Sequence, residues 1–316
     1  MPIVTSQRGT TAVIGRGYRT PYKYRQIITT GYVAGGYANS VPWRNVNYVV
    51  AATDTTTSLG DLLQTTHNYT SGAHNRDHAF MWGGSAVPGV SGYTSCFNMR
   101  TNTTLTKTSA MDSPVNIGDC ATVQRDLDYA WVFNCAANPT GSAAVDTPHR
   151  FNLVTEQSSS TFTIIGALTQ GGGAHYTDTD GYIWGAQKIK FNFATETQTA
   201  GGNYANHGQQ KGLPSKIGFG YAGNEGSYNG GNSLRKWNQV TDVLQSTIAK
   251  PVTNCGEENF TQGQDYQYML GSYDGAQNNR AWRFTYATDS GFEGGATMQP
   301  KGGQSGRSSG HCFWRD

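Results

Sequence analysis

Large apolar and polar positions recur along this chain in a repeated phrase. Phe191-Asn192-Phe193-Ala194-Thr195-Glu196-Thr197 is the clearest copy. Phe97-Asn98-Met99-Arg100-Thr101-Asn102-Thr103 and Phe151-Asn152-Leu153-Val154-Thr155-Glu156 repeat it. Trp237-Asn238-Gln239-Val240-Thr241-Asp242, Phe284-Thr285-Tyr286-Ala287-Thr288-Asp289 and Val49-Val50-Ala51-Ala52-Thr53-Asp54 keep the same plan. Each sets a large apolar residue four places before a Thr, with Asp, Glu or Asn directly after it. The pattern predicts a short strand running into a turn, with the apolar residue packed inward. The Thr and the residue after it are expected to hydrogen-bond nearby backbone.

Thr53, Thr101, Thr155, Thr195, Thr241 and Thr288 follow one another at spacings of 48, 54, 40, 46 and 47 residues. An aromatic-rich strand, usually ending in Gly, keeps step: Tyr32-Val33-Ala34-Gly35, Phe80-Met81-Trp82-Gly83, Tyr129-Ala130-Trp131-Val132-Phe133, Tyr182-Ile183-Trp184-Gly185, Phe219-Gly220-Tyr221-Ala222-Gly223 and Tyr268-Met269-Leu270-Gly271. Gly35, Gly83 and Gly223 each stand 18 residues before their Thr, and Gly271 stands 17 before. Gly185 stands only 10 before Thr195, so the fourth unit is expected to lack a loop or strand-edge segment. Two markers in phase at this period are the pattern of a β-propeller blade.

The chain ends extend the count. Thr53 to Phe80, Thr155 to Tyr182 and Thr241 to Tyr268 are all 27 residues, and the same step back from Tyr32 lands on Thr5. Cys312-Phe313-Trp314 falls about where a seventh aromatic strand begins. The expectation is an all-β chain, one domain over 1–316, folded as a seven-bladed β-propeller. Residues 1–30 and 311–316 would form the closing blade and leave no exposed sheet edge. The alternative is six blades with an N-terminal arm and a C-terminal tail.

Composition fits short strands and tight turns. Of 316 residues, 41 are Gly, 18 Tyr and 7 Trp, and charged residues make up 14%. Residues 59–66 come nearest to a helix, and that stretch is short. No run approaches the roughly 18 apolar residues of a membrane span, so no membrane insertion is expected. The start lacks the charged-then-apolar plan of a secretion signal. The five cysteines are odd in number, dispersed and without CxxC spacing, which argues against a disulfide framework or zinc site and suits a reducing cytoplasm.

The net charge of +2 is unevenly spread. No Asp or Glu precedes Asp54, whereas Arg8, Arg16, Arg19, Lys23, Arg25 and Arg44 do. Arg8, Arg16, Arg19, Lys23 and Arg25 are therefore candidates for docking an acidic partner protein, against a plainer reading as a solvated rim. Nucleic acid ranks below both, because the chain lacks a strong basic excess.

Catalytic chemistry is sparse. His67, His74 and His78 cluster in a Gly- and Asn-rich stretch that supplies no convincing third metal ligand. Asp178 and Asp180 read as a turn before the Tyr182 strand rather than a calcium loop. Glu257 and Glu258, adjacent on a strand, point to opposite faces. Neither Gly-x-Ser-x-Gly nor a phosphate-binding loop is present. No catalytic, cofactor or metal residue is assigned, and the chain is expected not to be an enzyme. Two amide- and Tyr-rich stretches have the chemistry of contact surfaces for a sugar or a protein. Both read as loops, one represented by Tyr228 and Asn229, the other by Tyr273, Asp274, Asn278 and Arg280.

The units Tyr32-Val33-Ala34-Gly35-Gly36-Tyr37 and Phe191 to Thr197 resemble the kelch-like propeller proteins found among virion components of tailed bacteriophages. The whole chain is similar to structural proteins of contractile-tailed cyanobacterial phages, through Ile14-Gly15-Arg16-Gly17-Tyr18-Arg19-Thr20-Pro21-Tyr22 and Gly223 to Gly231. It departs from ordinary kelch units in that only the first two marker strands end in Gly-Gly. The resemblance implies a non-enzymatic virion structural protein attached to tail, neck, baseplate or capsid, made in the host cytoplasm. Its implied partners are other virion proteins. A host surface glycan bound by an adhesin is the alternative, and a propeller enzyme comes last.

Overall fold

The computed structural model describes residues 30–35, 37–38, 41–42, 44–50, 53, 55–63, 71–82, 94–105, 118–124, 127–136, 149–160, 174–176, 179–184, 187–203, 219–223, 233–238, 241, 243–249, 259–262, 266–273, 277–285, 288–297 and 311–315. Within them the chain is all-β, a succession of antiparallel sheets.

Sheet 1 joins β1 (Thr30–Ala34), β4 (Asn45–Val50) and β5 (Thr55–Asp61) to β25 (His311–Arg315), in the order β25-β1-β4-β5. A ribbon of β2 (Tyr37–Ala38) and β3 (Val41–Pro42) lies between β1 and β4 in sequence. The remaining sheets are simple meanders. Sheet 2 is β6 (Ser71–His74), β7 (His78–Trp82), β8 (Thr94–Asn98) and β9 (Thr103–Leu105). Sheet 3 is β10 (Gly118–Gln124), β11 (Tyr129–Ala136), β12 (His149–Asn152) and β13 (Gln157–Ser160). Sheet 4 is β14 (Ala174–Tyr176), β15 (Asp180–Trp184), β16 (Gln187–Asn192) and β17 (Thr197–Asn203). Sheet 5 is β18 (Phe219–Gly223), β19 (Ser233–Asn238) and β20 (Val243–Ala249). Sheet 6 is β21 (Asn259–Gln262), β22 (Tyr266–Tyr273), β23 (Gln277–Thr285) and β24 (Ser290–Thr297).

Neighbouring sheets pack together in chain order. β6 lies against β25 and β10, β10 against β14, β14 against β18, and β20 against β24. The last sheet returns to the first, with β21 against β25 and β1, and β24 against β5.

The two sequence markers are the two sides of the seams between sheets. Strand side chains alternate between faces. On β7, Ala79 and Met81 therefore face sheet 1, and Phe80 and Trp82 face sheet 3. On β11, Ala130 and Val132 face sheet 2, and Trp131 and Phe133 face sheet 4. The Phe-Asn phrase of each sheet answers from the other side. Phe97 packs on Tyr32 with ring centroids 5.7 Å apart, and Phe151 packs on Phe80 and Trp82 at 5.4 and 5.0 Å. Phe191 packs on Trp131 and Phe133 at 5.6 and 5.4 Å, in tilted and edge-on geometries that suit aromatic quadrupoles. One apolar side chain beyond the Asn joins each seam: Met99, Leu153 and Phe193, all buried.

Several expectations are refined. Phe313 was expected to open a seventh sheet with the Thr5 segment, but it pairs with Tyr32, and β25 supplies the strand before β1 that sheet 1 otherwise lacks. Thr5 lies outside the described residues. Among the described residues there are six sheets of three or four strands, besides the ribbon. The short fourth unit has all four strands; its short stretch is the link from β15 to β16, Trp184 to Gln187. In the stretch that came nearest to a helix, Leu59 to Asp61 complete β5.

Candidate functional site

The described residues assemble one recurrent feature, the turn between the last two strands of each sheet. Asn opens it. Asn98 Oδ1 accepts the backbone N–H groups of Arg100 and Thr101 at 2.8 and 2.9 Å. Asn152 Oδ1 accepts those of Val154 and Thr155, both at 2.9 Å. Asn192 Oδ1 accepts those of Ala194 and Thr195 at 3.0 and 3.1 Å, and Asn238 Oδ1 accepts the Thr241 N–H at 3.0 Å. A short amide side chain thus satisfies turn donors that no ladder reaches. The next residue fastens the turn to its own sheet, since the N–H groups of Met99, Leu153 and Phe193 donate to Asp77, Asp128 and Thr179 carbonyls at 2.7, 2.7 and 2.9 Å.

The sequence pattern pointed to the Thr as the backbone-bonding side chain, and the structure corrects this. Asn, three places earlier, caps the backbone. The Thr hydroxyl instead meets the hydroxyl two residues on, at 2.7 Å in Thr53–Thr55, Thr101–Thr103 and Thr195–Thr197. Thr53, Thr101, Thr155, Thr195, Thr241 and Thr288 are all exposed at the turn tips. Because every such turn joins the same two strands of its sheet, the tips lie at equivalent ends of the sheets. Between them they present Thr hydroxyls, Arg100, and the exposed apolar side chains of Val154 and Val243.

The residue after the Thr has a different task. Asn102, Glu156, Glu196 and Asp289 have φ of 54°, 59°, 53° and 49°, a left-handed conformation that costs a non-glycine residue about 1 kcal/mol or more. Three of these side chains reach back across the seam. Tyr32 donates its hydroxyl to the Met99 carbonyl at 2.8 Å and approaches Asn102 Oδ1 at 3.3 Å. Trp131 Nε1 and Arg150 both donate to Glu196 Oε1, at 3.1 and 3.0 Å. Lys236 Nζ donates to Asp289 Oδ2 at 2.6 Å. The seam of sheets 2 and 3 adds its own link, Asn75 Nδ2 to the Leu153 carbonyl at 2.9 Å. Nearby, the Gln124 side-chain amide donates to the His74 carbonyl at 2.6 Å while its oxygen accepts the His74 N–H at 3.1 Å. One side chain of β10 thereby pairs with β6 as a strand would.

The remaining candidates are placed as follows. Arg8, Arg16, Arg19, Lys23, Arg25, Tyr228, Asn229 and Asp274 lie outside the described residues, as do His67, Glu257 and Glu258. Tyr273, Asn278 and Arg280 are not in a loop: Tyr273 ends β22 opposite Gln277, Asn278 pairs with Ser272, and Arg280 pairs with Thr297. Asp178 lies outside the described residues, and Asp180 is not in the turn but opens β15 opposite Asn192, held by Thr179 Oγ1 at 2.8 Å, Asn192 Nδ2 at 3.1 Å and Lys190 Nζ at 3.6 Å. His74 is buried with Nδ1 2.9 Å from the Asn75 carbonyl, and His78 stands edge-on to Phe80. Cys96 is a buried thiol. Among the described residues no three His, Cys, Asp or Glu side chains converge as a metal site would, and no helix is long and apolar enough to cross a membrane.

The turn-opening Asn residues escaped the sequence reading, although Asn98, Asn152, Asn192 and Asn238 all stand three places before a marker Thr. Their fixed offset was the available signal. No family model matches the chain, and no curated protein matches it.

Proposed function

We propose that the chain is a non-enzymatic structural protein of a tailed-phage virion, a propeller that acts as a rigid spacer and attachment platform on the particle. Among the described residues, six sheets, each packed on the next and the last on the first, support six blades closed by β25. That favours six blades over seven, with His311–Arg315 a closing strand and not the tail of the six-blade alternative. The observation that carries the reading is the repeated seam. Aromatic packing and a polar clasp across it stiffen a wheel of sheets, while the turn tips remain exposed for contact. Hydroxyls beside isolated Val and Arg side chains suit a polar protein contact, and the partners are other virion proteins. The resemblance of the Tyr32 and Phe191 units to phage virion propellers supports the same assignment.

Quantitative mass spectrometry of gradient-purified particles from a phage encoding this chain tests the proposal. The expected result is a fixed stoichiometry to the major capsid or tail protein, with ring-shaped density on the particle surface by cryo-EM. Presence in the lysate with absence from purified particles overturns it.

A further inference from the structure

The first sheet is completed by a strand from nearly the far end of the sequence. β25 pairs with β1 over five residues, Thr30↔Arg315 through Ala34↔His311. It also packs against β6 on one side and β21 on the other. The receiving edge of β1 is therefore a slot between two neighbouring sheets, shaped for one extended segment. Five backbone-paired residues are a small ladder, comparable to the added strands of peptide-binding sheets.

The connection to this strand is long for its task. Thirteen residues, 298–310, separate β24 from β25, and seven of them are Gly or Ser. Fully extended, they span about 45 Å, whereas stepping from β24 to β5, on which it packs, and crossing sheet 1 to its first strand takes only about 25 Å. Nothing in that length obliges the strand to return to its own molecule.

We propose that β25 is an exchangeable strand: the slot on β1 accepts His311–Arg315 from a second copy of this chain, so that two copies trade strands. The ladder formed is the same within or between molecules, so the choice rests on concentration. A tether of this kind holds its strand at an effective concentration of roughly millimolar, which favours the closed monomer in dilute solution. Crowding of copies on an assembling surface removes that advantage, and reciprocal exchange links them without any new interface. The proposal stands on the β1–β25 register and goes beyond the virion assignment; its failure leaves that assignment untouched.

The register supplies the test, because Val33 is the backbone partner of the native Cys312. One full-length chain carries Val33→Cys together with Cys312→Ser; the other is wild type. The two are mixed across a concentration series up to about 1 mM, the tether's own effective concentration. They are then oxidised, and disulfide-linked peptides are identified by mass spectrometry. The expected result is a link between position 33 of the first chain and Cys312 of the second, absent when dilute and rising at least tenfold toward the top of the series. The single Val33→Cys variant, dilute, should link internally to its own Cys312. An internal link with no interchain link at any concentration overturns the exchange, and no internal link overturns the register. If Val33→Cys fails to fold, the pair Thr30→Cys and Arg315→Cys on separate chains reads out the same slot.

Discussion

The seam between sheets 1 and 2 and the seam between sheets 3 and 4 solve one problem with different chemistry. In the first, the clasp is neutral: the Tyr32 hydroxyl reaches the Met99 carbonyl and Asn102. In the second it is ionic, with Trp131 and Arg150 converging on Glu196. The geometry behind them is shared, since Asn102 and Glu196 both follow a marker Thr and have φ near 54°. The position thus requires a side chain carrying an acceptor oxygen on a left-handed residue. Charge is optional, and the rings behind the clasp supply most of the adhesion.

The largest expected effect comes from removing those rings. Trp131→Ala strips the contacts to Phe191 and Phe193 and leaves the second seam with a cavity, at a cost of about 3–5 kcal/mol in chemical denaturation. Gly181→Ala attacks the same seam by overpacking, because a Cβ there would lie 2.8 Å from three side-chain carbons of Val123. A loss of about 1–3 kcal/mol is expected, partly restored by Val123→Ala in the same chain. Neither substitution should disturb the first seam, so near-additivity with Tyr32→Phe is a direct check.

Smaller changes sharpen the contrast between the clasps. Tyr32→Phe leaves a buried carbonyl without its hydroxyl donor and is expected to destabilise by about 1 kcal/mol at any ionic strength. Arg150→Ala removes a partly exposed ion pair and should cost less than about 1 kcal/mol, fading further in high salt. Denaturation midpoints at low and high salt separate the two.

The last expectation concerns alkaline pH. Burial, and secondarily the charge of Asp180, push the Tyr182 phenol up to about 12 from its ordinary 10. The folded chain then holds a proton that the unfolded chain releases. The contribution is fully present below pH 10 and is lost as pH rises through about 12. Tyr182→Phe should therefore flatten the alkaline limb of a stability-versus-pH curve, leaving neutral pH behaviour to the packing change alone.

Much of this architecture is legible in the sequence, and the gaps have physical causes. The Phe-Asn phrase and the aromatic strand stand out because each seam needs a large side chain at a fixed place. Their spacing was measured within one unit, however, and the contact they make is between consecutive units, as with Trp131 and Phe191. Spacing alone therefore concealed that the two markers meet. The residue after the Thr was visible as Asn, Asp or Glu, while its left-handed backbone, the reason for that choice, is a property of φ. Asn192 was overlooked because hydrogen bonding was credited to Thr195, whose hydroxyl turns to Asn192 and Thr197. Phe313 is legible as a strand, but its sheet is not. A spacing count does not distinguish opening a sheet from filling the vacant first place in an old one.

The central claim is that the residue following a marker Thr, at Asn102, Glu196 and Asp289, acts across the seam, on the sheet before it. A double-mutant cycle on Trp131→Phe and Glu196→Ala measures this: Phe keeps an aromatic ring but loses the indole N–H together with its five-membered ring, and the cycle cancels the packing loss that does not depend on Glu196. The account predicts a coupling of about 0.5–1.5 kcal/mol between two positions 65 residues apart. Strict additivity of the two substitutions would contradict it.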